Sequence, residues 1–279
     1  MISWFIRRQL RRLHEVRELD PVPGELRGWS WDKPPVRPRA YLGLGVSEVA
    51  YASYCGFRDL WLRRRKGVKA EVNEHMRVGY IVHEIFHRAA RDLRSIVFSN
   101  GDRWAVVRRL YDRAWLRVRD LTSDRWAVEL YRKLVSVWFG ESMASELLNG
   151  GEGLGWIPWL SEYRVDGSAI GLSRHLRVDG LSEMGLVVEI KYGKSMRWHR
   201  VALAGYALAM ESYMEVPVDY GILVHVNNIA EGSPTLWVEP VYISPDLRRS
   251  FLEARDEAID VLLSPVEPPQ SACVEDEVV

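Results

Sequence analysis

Cysteine is scarce in this chain of 279 residues, which contains only Cys55 and Cys273. Two thiols exclude a framework of several disulfides, and alone they cannot supply the four ligands of a cysteine-only metal centre. Long hydrophobic runs are also missing: no stretch approaches 18 consecutive apolar residues, so we expect no transmembrane helix. The first twenty residues lack an unbroken apolar stretch and a small-residue cleavage site, so we expect no signal peptide and a cytoplasmic location.

Lysine is rare as well, with 6 lysines against 32 arginines, and the charges are unevenly distributed. The formal net charge is zero, yet residues 1–140 carry 28 basic and 16 acidic side chains, and the remainder carry 10 and 22. A basic half suits a polyanion such as nucleic acid, and the planar guanidinium of arginine suits phosphate. Two plainer explanations stay open: the two halves pair across an interface, or the arginines reflect a coding bias.

Periodicity predicts a largely helical first half. We expect a basic amphipathic helix over 2–17, a proline-rich irregular arm over 20–43, and a helix that Ser47 caps and that runs to about residue 65. Further helices are expected over 74–98, 102–119 and 123–148.

The second half alternates short β-rich segments with helices. Strands are expected over 159–165, 169–172, 175–181, 186–192, 220–226 and 235–242, and helices over 196–215 and 245–263. This pattern predicts an α/β fold in which a mixed sheet is flanked by helices. The chain then divides into a basic helix and arm over 1–45, a helical region with a basic surface over 46–150, an α/β core over 151–264 and a flexible acidic tail over 265–279.

Candidate chemistry concentrates in a predicted hairpin with a turn at 182–185. The turn brings Asp179 beside Glu189 and Lys191, and residues two apart on a strand share a face. Two carboxylates form a hard-oxygen site for Mg²⁺ or Mn²⁺, and a lysine beside the metal can orient or deprotonate water. A surface hairpin with an ordinary Glu–Lys pair is the alternative. The apolar neighbours of Glu189 instead indicate a buried strand. Burying a charged side chain is costly, so a function would explain why these residues are charged.

Other motifs accompany this hairpin in a fixed order. They are Tyr54-Cys55 with Arg58-Asp59, Gly79 with His83, Glu162, Gly171-Leu172 leading to Val178-Asp179-Gly180, Glu189-Ile190-Lys191, and Gly205-Tyr206-Ala207-Leu208. In order and spacing these motifs resemble the RecB-like nucleases of the PD-(D/E)XK superfamily. Within it, the chain is most similar to the CRISPR-associated exonucleases of the adaptation module, particularly the archaeal type I-A subfamily.

The resemblance implies a restriction-endonuclease-like PD-(D/E)XK core over 151–264 and a role for each matched residue. His83, Asp179, Glu189 and the Ile190 carbonyl would hold Mn²⁺ or Mg²⁺, Lys191 would position the nucleophilic water, Tyr206 would support substrate binding, and Glu162 would assist the site. The implied function is a metal-dependent DNA exonuclease that trims DNA ends for CRISPR spacer acquisition, with DNA and CRISPR integrase proteins as partners and no membrane.

The sequence departs from the family in two places. Many relatives have glutamine four residues before the tyrosine, where this chain has Ala202. Relatives also often bind an iron–sulfur cluster through one cysteine near the start and three near the end. Cys55 matches the first of these, but only Cys273 lies near the end, so we expect no full cluster. We interpret Cys55 instead as a small buried hydrophobic residue.

Two other functions stay open at this point. The run from His83 to His87 matches the H-E-x-x-H zinc peptidase signature, with Glu84 as the base, although no third ligand is evident. The main alternative is a non-catalytic DNA-binding or scaffolding subunit of a CRISPR integration complex. Tyr41, Arg58 and the arginines at 63–65 are candidate DNA contacts, for which a solvated face is the plainer interpretation.

Overall fold

The structure is a computed structural model that describes residues 2–69, 71–97, 101–148, 159–182 and 185–273. Its α-helices are α1 (Ile2–Leu19), α2 (Val46–Cys55), α3 (Arg58–Lys66), α4 (Glu74–Val97), α5 (Arg103–Asp112), α6 (Trp115–Val118), α7 (Arg125–Leu148), α8 (Arg197–Met214) and α9 (Pro245–Leu263). Its strands are β1 (Leu160–Val165), β2 (Leu176–Leu181), β3 (Val187–Tyr192), β4 (Tyr220–Asn227) and β5 (Thr235–Tyr242). None of these described helices combines the length and apolar character needed to cross a membrane.

The strands form one mixed sheet in the order β1-β2-β3-β4-β5. Neighbouring strands run antiparallel except β3 and β4, which are parallel and are joined through α8, as a parallel pair requires a crossover. The central strand β3 is buried at Val187, Val188 and Ile190, because helices cover both of its faces. The predicted mixed sheet flanked by helices is therefore confirmed.

Helices cover the sheet in two layers, each with its own apolar core. On one face, Leu203 of α8 and Phe251 of α9 share a core with Val187. On the other face, Phe86 of α4 shares a core with Val188, the next residue along the same strand. Alternate side chains of β3 thus enter opposite cores, and the helical first half of the chain supplies one complete layer.

A buried charge cluster fixes the irregular arm to α8 and α9. Glu211 of α8 is fully buried and accepts hydrogen bonds from the guanidinium groups of Arg27 and Arg248 at 2.8–2.9 Å. The same carboxylate accepts the backbone N–H groups of Gly28 and Val218, each at 2.9 Å. Because charged and backbone donors satisfy both carboxylate oxygens, the cluster compensates the cost of burying a charge.

Close packing explains the glycine of the Gly205-Tyr206 motif. A Cβ added at Gly205 would lie 2.3 Å from the ring of Phe251, far inside van der Waals contact. The small residue therefore lets α8 and α9 approach each other, and it holds α8 in place behind the sheet.

The helix predicted from Ser47 to about residue 65 is wrong in two respects. It begins one residue earlier than Ser47, with Gly45 at the N-cap, where Glu48 accepts the Gly45 backbone N–H at 3.0 Å. It also breaks into α2 and α3 at Gly56, whose φ of +81° lies outside the helical region.

Two further element predictions also need correction. The segment over 169–172 is not a strand: it begins within a 3-10 turn at Ser168–Ile170, which ends at Gly171 with a left-handed φ of +79°. The helix over 102–119 is divided, because α5 ends at Asp112 and α6 begins at Trp115.

The chain after α9 runs along α3. Trp61 donates from its indole Nε1 to the carbonyl of Ser264 at 3.2 Å, and Arg58 Nε donates to Glu267 at 2.7 Å. Of the tail predicted over 265–279, the part up to residue 273 therefore contacts the helical half, and residues 274–279 lie outside the described residues.

The two cysteines meet where this segment ends. Cys55 and Cys273, which are 218 residues apart in sequence, form a disulfide, and their Cα atoms are 3.9 Å apart. The interpretation of Cys55 as a small buried hydrophobic residue is wrong, because its sulfur is bonded and the residue is only half buried.

Candidate metal centre

The hairpin of β2 and β3 brings the two predicted carboxylates to one place. Gly180 pairs with Val188 in antiparallel register, which sets Asp179 opposite Glu189 one step further along. Regular pairing ends there, and Asp179 Oδ2 instead accepts the backbone N–H of Ile190 at 2.7 Å. The carboxylate of Asp179 is therefore fixed by the backbone of β3.

Three side chains from three elements converge beside this hairpin. His83 of α4, Glu162 of β1 and Asp179 of β2 each offer a ligand atom, and these atoms all lie within 4.8 Å of one another. His83 Nδ1 is 3.1 Å from Asp179 Oδ1. Carboxylate oxygens suit Mg²⁺ and Mn²⁺, and a histidine nitrogen shifts the set towards a transition metal such as Mn²⁺.

The backbone of Glu162 is strained in a way that serves this site. Its φ is +54°, in the left-handed region that side chains other than glycine avoid. Such a conformation costs on the order of 1–3 kcal/mol and is typical of functional positions. The resemblance implied only an assisting role for Glu162, whereas the structure places its carboxylate among the potential ligands.

Glu189 and Lys191 form a buried ion pair next to the trio. Lys191 Nζ donates to Glu189 Oε1 at 2.5 Å, and Glu189 is 2% exposed. The other oxygen, Oε2, is buried and has no hydrogen-bond partner among the described residues. Burial raises the pKa of Glu189 to about 7; the attraction of Lys191 opposes this shift and the charge of Asp179 supports it. A buried carboxylate oxygen in this state calls for a proton or a cation.

The other charged groups balance one another across the site. Burial lowers the pKa of His83, but the Asp179 carboxylate outweighs burial and the pKa is raised overall. Burial raises the pKa of Asp179, but His83, Lys191 and the Ile190 N–H outweigh it and lower the pKa. For Lys191, the two carboxylates outweigh burial and raise the pKa. Positive charge on His83 and Lys191 would thus offset the carboxylates, which is the charge that a divalent cation would also neutralise.

An aromatic ring from α8 covers the lysine. Lys191 Nζ lies 5.2 Å from the centroid of the Trp198 ring, within the range of a cation–π interaction. Tyr51 of α2 packs edge-on against Trp198, with ring centroids 5.7 Å apart. The ammonium is therefore held between a carboxylate and an indole face.

Two neutral histidines lie behind the lysine. Burial, with the charge of Lys191, lowers the pKa of His199 to about 2. Burial also lowers the pKa of His225 to about 4, and its contact with the Gly193 backbone opposes that shift. Their rings are 5.6 Å apart, and both stay uncharged at neutral pH. They add bulk and polarity around Lys191 without adding a competing cation.

A cleft of about 900 Å³ gives access to the site, and Ile190, Lys191 and His83 line it. Arg63 also lines this cleft, and its contact with DNA stays a prediction. The neighbouring Arg64 is instead bonded to Glu48, at 2.6 and 2.9 Å.

The other candidate DNA contacts lie elsewhere. Arg58 is bound to the C-terminal segment through Glu267, and its guanidinium is therefore already paired. Tyr41 lines a separate cavity beside Gly171 and Arg174. The fold therefore divides the predicted DNA-contacting cluster, and Arg63 is a member that lines the cleft containing Lys191.

Tyr206 lies on α8 next to the carboxylates but faces the core. Its side chain is 8% exposed, and burial together with Glu189 and Asp179 raises its pKa well above the usual value. A hydrogen bond with Ser47 opposes that shift. The tyrosine is therefore a neutral, buried neighbour of the acidic pair.

The H-E-x-x-H run is not assembled as a zinc site in the described structure. His87 Nδ1 is 2.8 Å from Ser161 Oγ, and Glu84 accepts a hydrogen bond from Arg88 at 2.8 Å. His83 turns instead towards Asp179. The first histidine thus belongs to the carboxylate site, and its two signature partners are used elsewhere.

Two features of the site are not predicted by the sequence patterns above. Trp198 is one, because its approach to Lys191 depends on how α8 crosses the sheet. The other is the pair Arg164 and Arg177, which line a cavity together with His83 and Glu162. In the sequence, Arg164 lies two residues after Glu162 and Arg177 two residues before Asp179, each pair on one predicted strand. That spacing is a usable signal, since residues two apart share a face.

Comparison with known proteins gives one consistent family. The family model described as "CRISPR-associated exonuclease Csa1" matches residues 1–277. A protein of that name from Thermoproteus tenax is 35% identical over 275 residues, covering 96% of this chain and 94% of the relative. A second, from Saccharolobus solfataricus, is 31% identical over 257 residues, covering 88% of this chain and 87% of the relative.

Proposed function

Because the chain belongs to the family of the CRISPR-associated exonuclease Csa1, we propose that it is a metal-dependent deoxyribonuclease that trims DNA ends for CRISPR spacer acquisition. The observation that carries the proposal is the convergence of His83, Glu162 and Asp179 beside the buried Glu189–Lys191 pair. Its partners would be DNA and the integrase proteins that insert the trimmed fragments.

The donor set fits a divalent cation. His83, Glu162 and Asp179 present ligand atoms close together, and Glu189 adds a buried oxygen that lacks a partner among the described residues. We propose that these side chains, with the Ile190 carbonyl, hold Mn²⁺ or Mg²⁺. When bound, such an ion neutralises charge on the phosphodiester and makes bound water more acidic. No iron–sulfur cluster is part of this proposal, because Cys55 and Cys273 supply only two of the four thiolates that such a cluster takes.

Lys191 is the residue that this chain offers for orienting the attacking water. Its ammonium is fixed by Glu189 Oε1 on one side and by the Trp198 ring on the other, so its remaining N–H groups point in few directions. The raised pKa of Lys191 keeps it charged at neutral pH. A charged donor in a water-poor site orients a water oxygen and stabilises the negative charge that develops on the phosphate.

The substrate strand would enter along the 900 Å³ cleft. Arg63 at the rim would bind a backbone phosphate, and the carboxylates at the floor would meet the phosphodiester only through the cation between them. Tyr206 would act from within the core, by holding α8 in position relative to Asp179 and Glu189, rather than by contact with DNA.

The deciding experiment compares the parent with Asp179→Asn on 5′-labelled single- and double-stranded DNA, in Mn²⁺, Mg²⁺ and EDTA. We expect the parent to shorten DNA only with metal and the variant to be inactive while it stays folded. DNA binding without cleavage in any metal would instead support a non-catalytic subunit. Cleavage in EDTA, or equal cleavage by the variant, would refute the proposed site.

A further inference from the structure

Two arginines face each other across the strand pair that carries the metal centre. Arg164 of β1 and Arg177 of β2 are register partners, and both are exposed. Directly opposite side chains on antiparallel strands have Cβ atoms about 5 Å apart, and like charges at such positions destabilise a sheet. The pair therefore carries a local cost that the fold alone does not explain.

The nearby acidic groups do not balance this charge. Arg177 Nη1 is 3.3 Å from Glu162 Oε2, and that carboxylate also belongs to the His83–Asp179 trio. Arg164 makes no ion pair within the part of the chain that the structure describes. Among the described residues the two guanidinium groups thus share one carboxylate, and a second anion would complete the site.

The pair opens into a cavity that connects to the metal centre. This second cavity, of about 630 Å³, is lined by Arg164, Arg177 and Glu162, together with Tyr80 and His83 of α4. Tyr80 and His83 also line the larger cleft that contains Lys191. The metal centre therefore lies where two cavities meet, one containing Lys191 and the other containing the arginine pair.

We propose that Arg164 and Arg177 form a binding site for a nucleic-acid phosphodiester next to the one that is cleaved. This inference rests on the proposed nuclease function and adds to it a site that fixes the strand beyond the metal centre. Arg164 lies two residues from Glu162 on β1, and Arg177 lies two residues from Asp179 on β2, a separation of about 7 Å. One nucleic-acid strand is long enough to contact both the arginine pair and the metal centre. Planar guanidinium groups bind the oxygens of a phosphate in pairs, so the two arginines suit a phosphodiester of the strand that the metal centre would cleave.

The test measures binding of a fluorescein-labelled oligothymidylate in EDTA, by anisotropy across a salt series. Compared with the parent, Arg164→Ala with Arg177→Ala should weaken binding about tenfold or more at low salt. The log–log salt slope should fall by about 0.7 for each phosphate of a single strand that the variant no longer neutralises. Arg174→Ala is the matched control, because Arg174 is exposed nearby but lines a different cavity. It should leave affinity and slope at the parent values.

A second readout separates a binding site from a structural pair. Arg164→Gln alone should leave the melting temperature unchanged or raised, because it removes like-charge repulsion, while affinity for the oligonucleotide falls. A lower melting temperature with unchanged affinity would assign the pair a structural role and overturn the inference. If the parent cleaves DNA and the double variant binds it with parental affinity, only this subsite is refuted. If the parent neither binds nor cleaves DNA, the proposed function fails and the subsite with it.

Discussion

Asp179 is bonded to the strand beside it and to the helix above it at the same time. Its Oδ2 accepts the Ile190 backbone N–H at 2.7 Å, and its Oδ1 faces His83 Nδ1 at 3.1 Å. The backbone N–H of Ile190 fixes one oxygen of the carboxylate without using another side chain. The contact with His83 orients the other oxygen, Oδ1. The central ligand of the proposed site is thus oriented before any metal binds.

Replacing Lys191 tests the chemistry directly. Lys191→Ala should lower the rate of cleavage by about 10²-fold or more, the lower range for a positioned proton-transfer or water-orienting group. Binding of DNA should change little, because the ammonium is held inside the site by Glu189. Single-turnover cleavage and anisotropy measure the two effects separately. An unchanged cleavage rate would exclude the lysine from the mechanism.

Metal affinity should depend on pH. Glu189, whose pKa is raised to about 7, and His83, whose pKa is also raised, must both lose a proton before they can bind a cation. Metal binding therefore competes with protons, and affinity for Mn²⁺ should increase with pH, about tenfold or more between pH 6 and pH 8. Calorimetric titration at several pH values measures this. Glu189→Gln should bind more weakly and with a flatter dependence, and a pH-independent affinity in the parent would contradict the assignment.

Trp198 should act by positioning Lys191. Loss of a partly desolvated cation–π interaction is worth about 1–2 kcal/mol, so Trp198→Leu should lower kcat about tenfold while KM stays near the parent value. Trp198→Phe retains an aromatic face and should recover much of the loss. Steady-state kinetics on a labelled oligonucleotide distinguishes the two variants. Equal activity of the leucine and phenylalanine variants would mean that the ring only fills space.

The arginines of α3 should have different roles. Arg63→Ala should weaken DNA binding and reduce the salt slope by about 0.7, since Arg63 lines the cleft. Arg64→Ala should leave the slope unchanged and lower the melting temperature by a few degrees, because it releases Glu48 and the start of α2. Binding against salt and thermal unfolding of both variants test this division. If Arg64→Ala reduced the salt slope and Arg63→Ala did not, the DNA would instead contact the side of α3 that carries Arg64.

The buried cluster around Glu211 should dominate stability. Glu211→Ala leaves Asp219 as the one described carboxylate that balances the buried Arg27 and Arg248, and breaking such a buried network typically costs about 3–5 kcal/mol. Urea unfolding should show this loss, and Glu211→Gln should give a smaller one because it retains the shape and one acceptor oxygen. A loss below about 1 kcal/mol in the alanine variant would mean that water replaces the missing oxygens.

The sequence predicts those parts of the site that depend on local spacing. The β2–β3 hairpin follows from alternation and a turn, so the opposition of Asp179 and Glu189 could be stated in advance. The left-handed backbone conformation of Glu162 could not be predicted, because nothing in the pattern of side chains indicates a positive φ at that position. Contacts between distant segments, such as Lys191 with Trp198, require the crossing angle of α8 over the sheet, which periodicity does not specify.

The break between α2 and α3 shows the same limit at the level of the fold. Residues 47–65 have helical periodicity throughout, and Gly56 is tolerated within such a pattern at a cost of about 1 kcal/mol. The break occurs because α3 must turn to meet the returning C-terminal segment at Trp61 and Arg58. A tertiary contact more than 200 residues away thus overrides a local preference.

The disulfide between Cys55 and Cys273 makes the polypeptide a ring with two short ends. If the molecule were pulled by its termini with the disulfide intact, only residues 1–54 and 274–279 could straighten, about 200 Å of extended chain. Reduced, the same 279 residues could reach nearly 1,000 Å. All five described strands and the residues of the proposed metal centre lie between the two cysteines, so tension on the ends would bypass them. In an optical trap, the extension of the chain should therefore stop at about 200 Å, and a reducing agent should allow it to increase further.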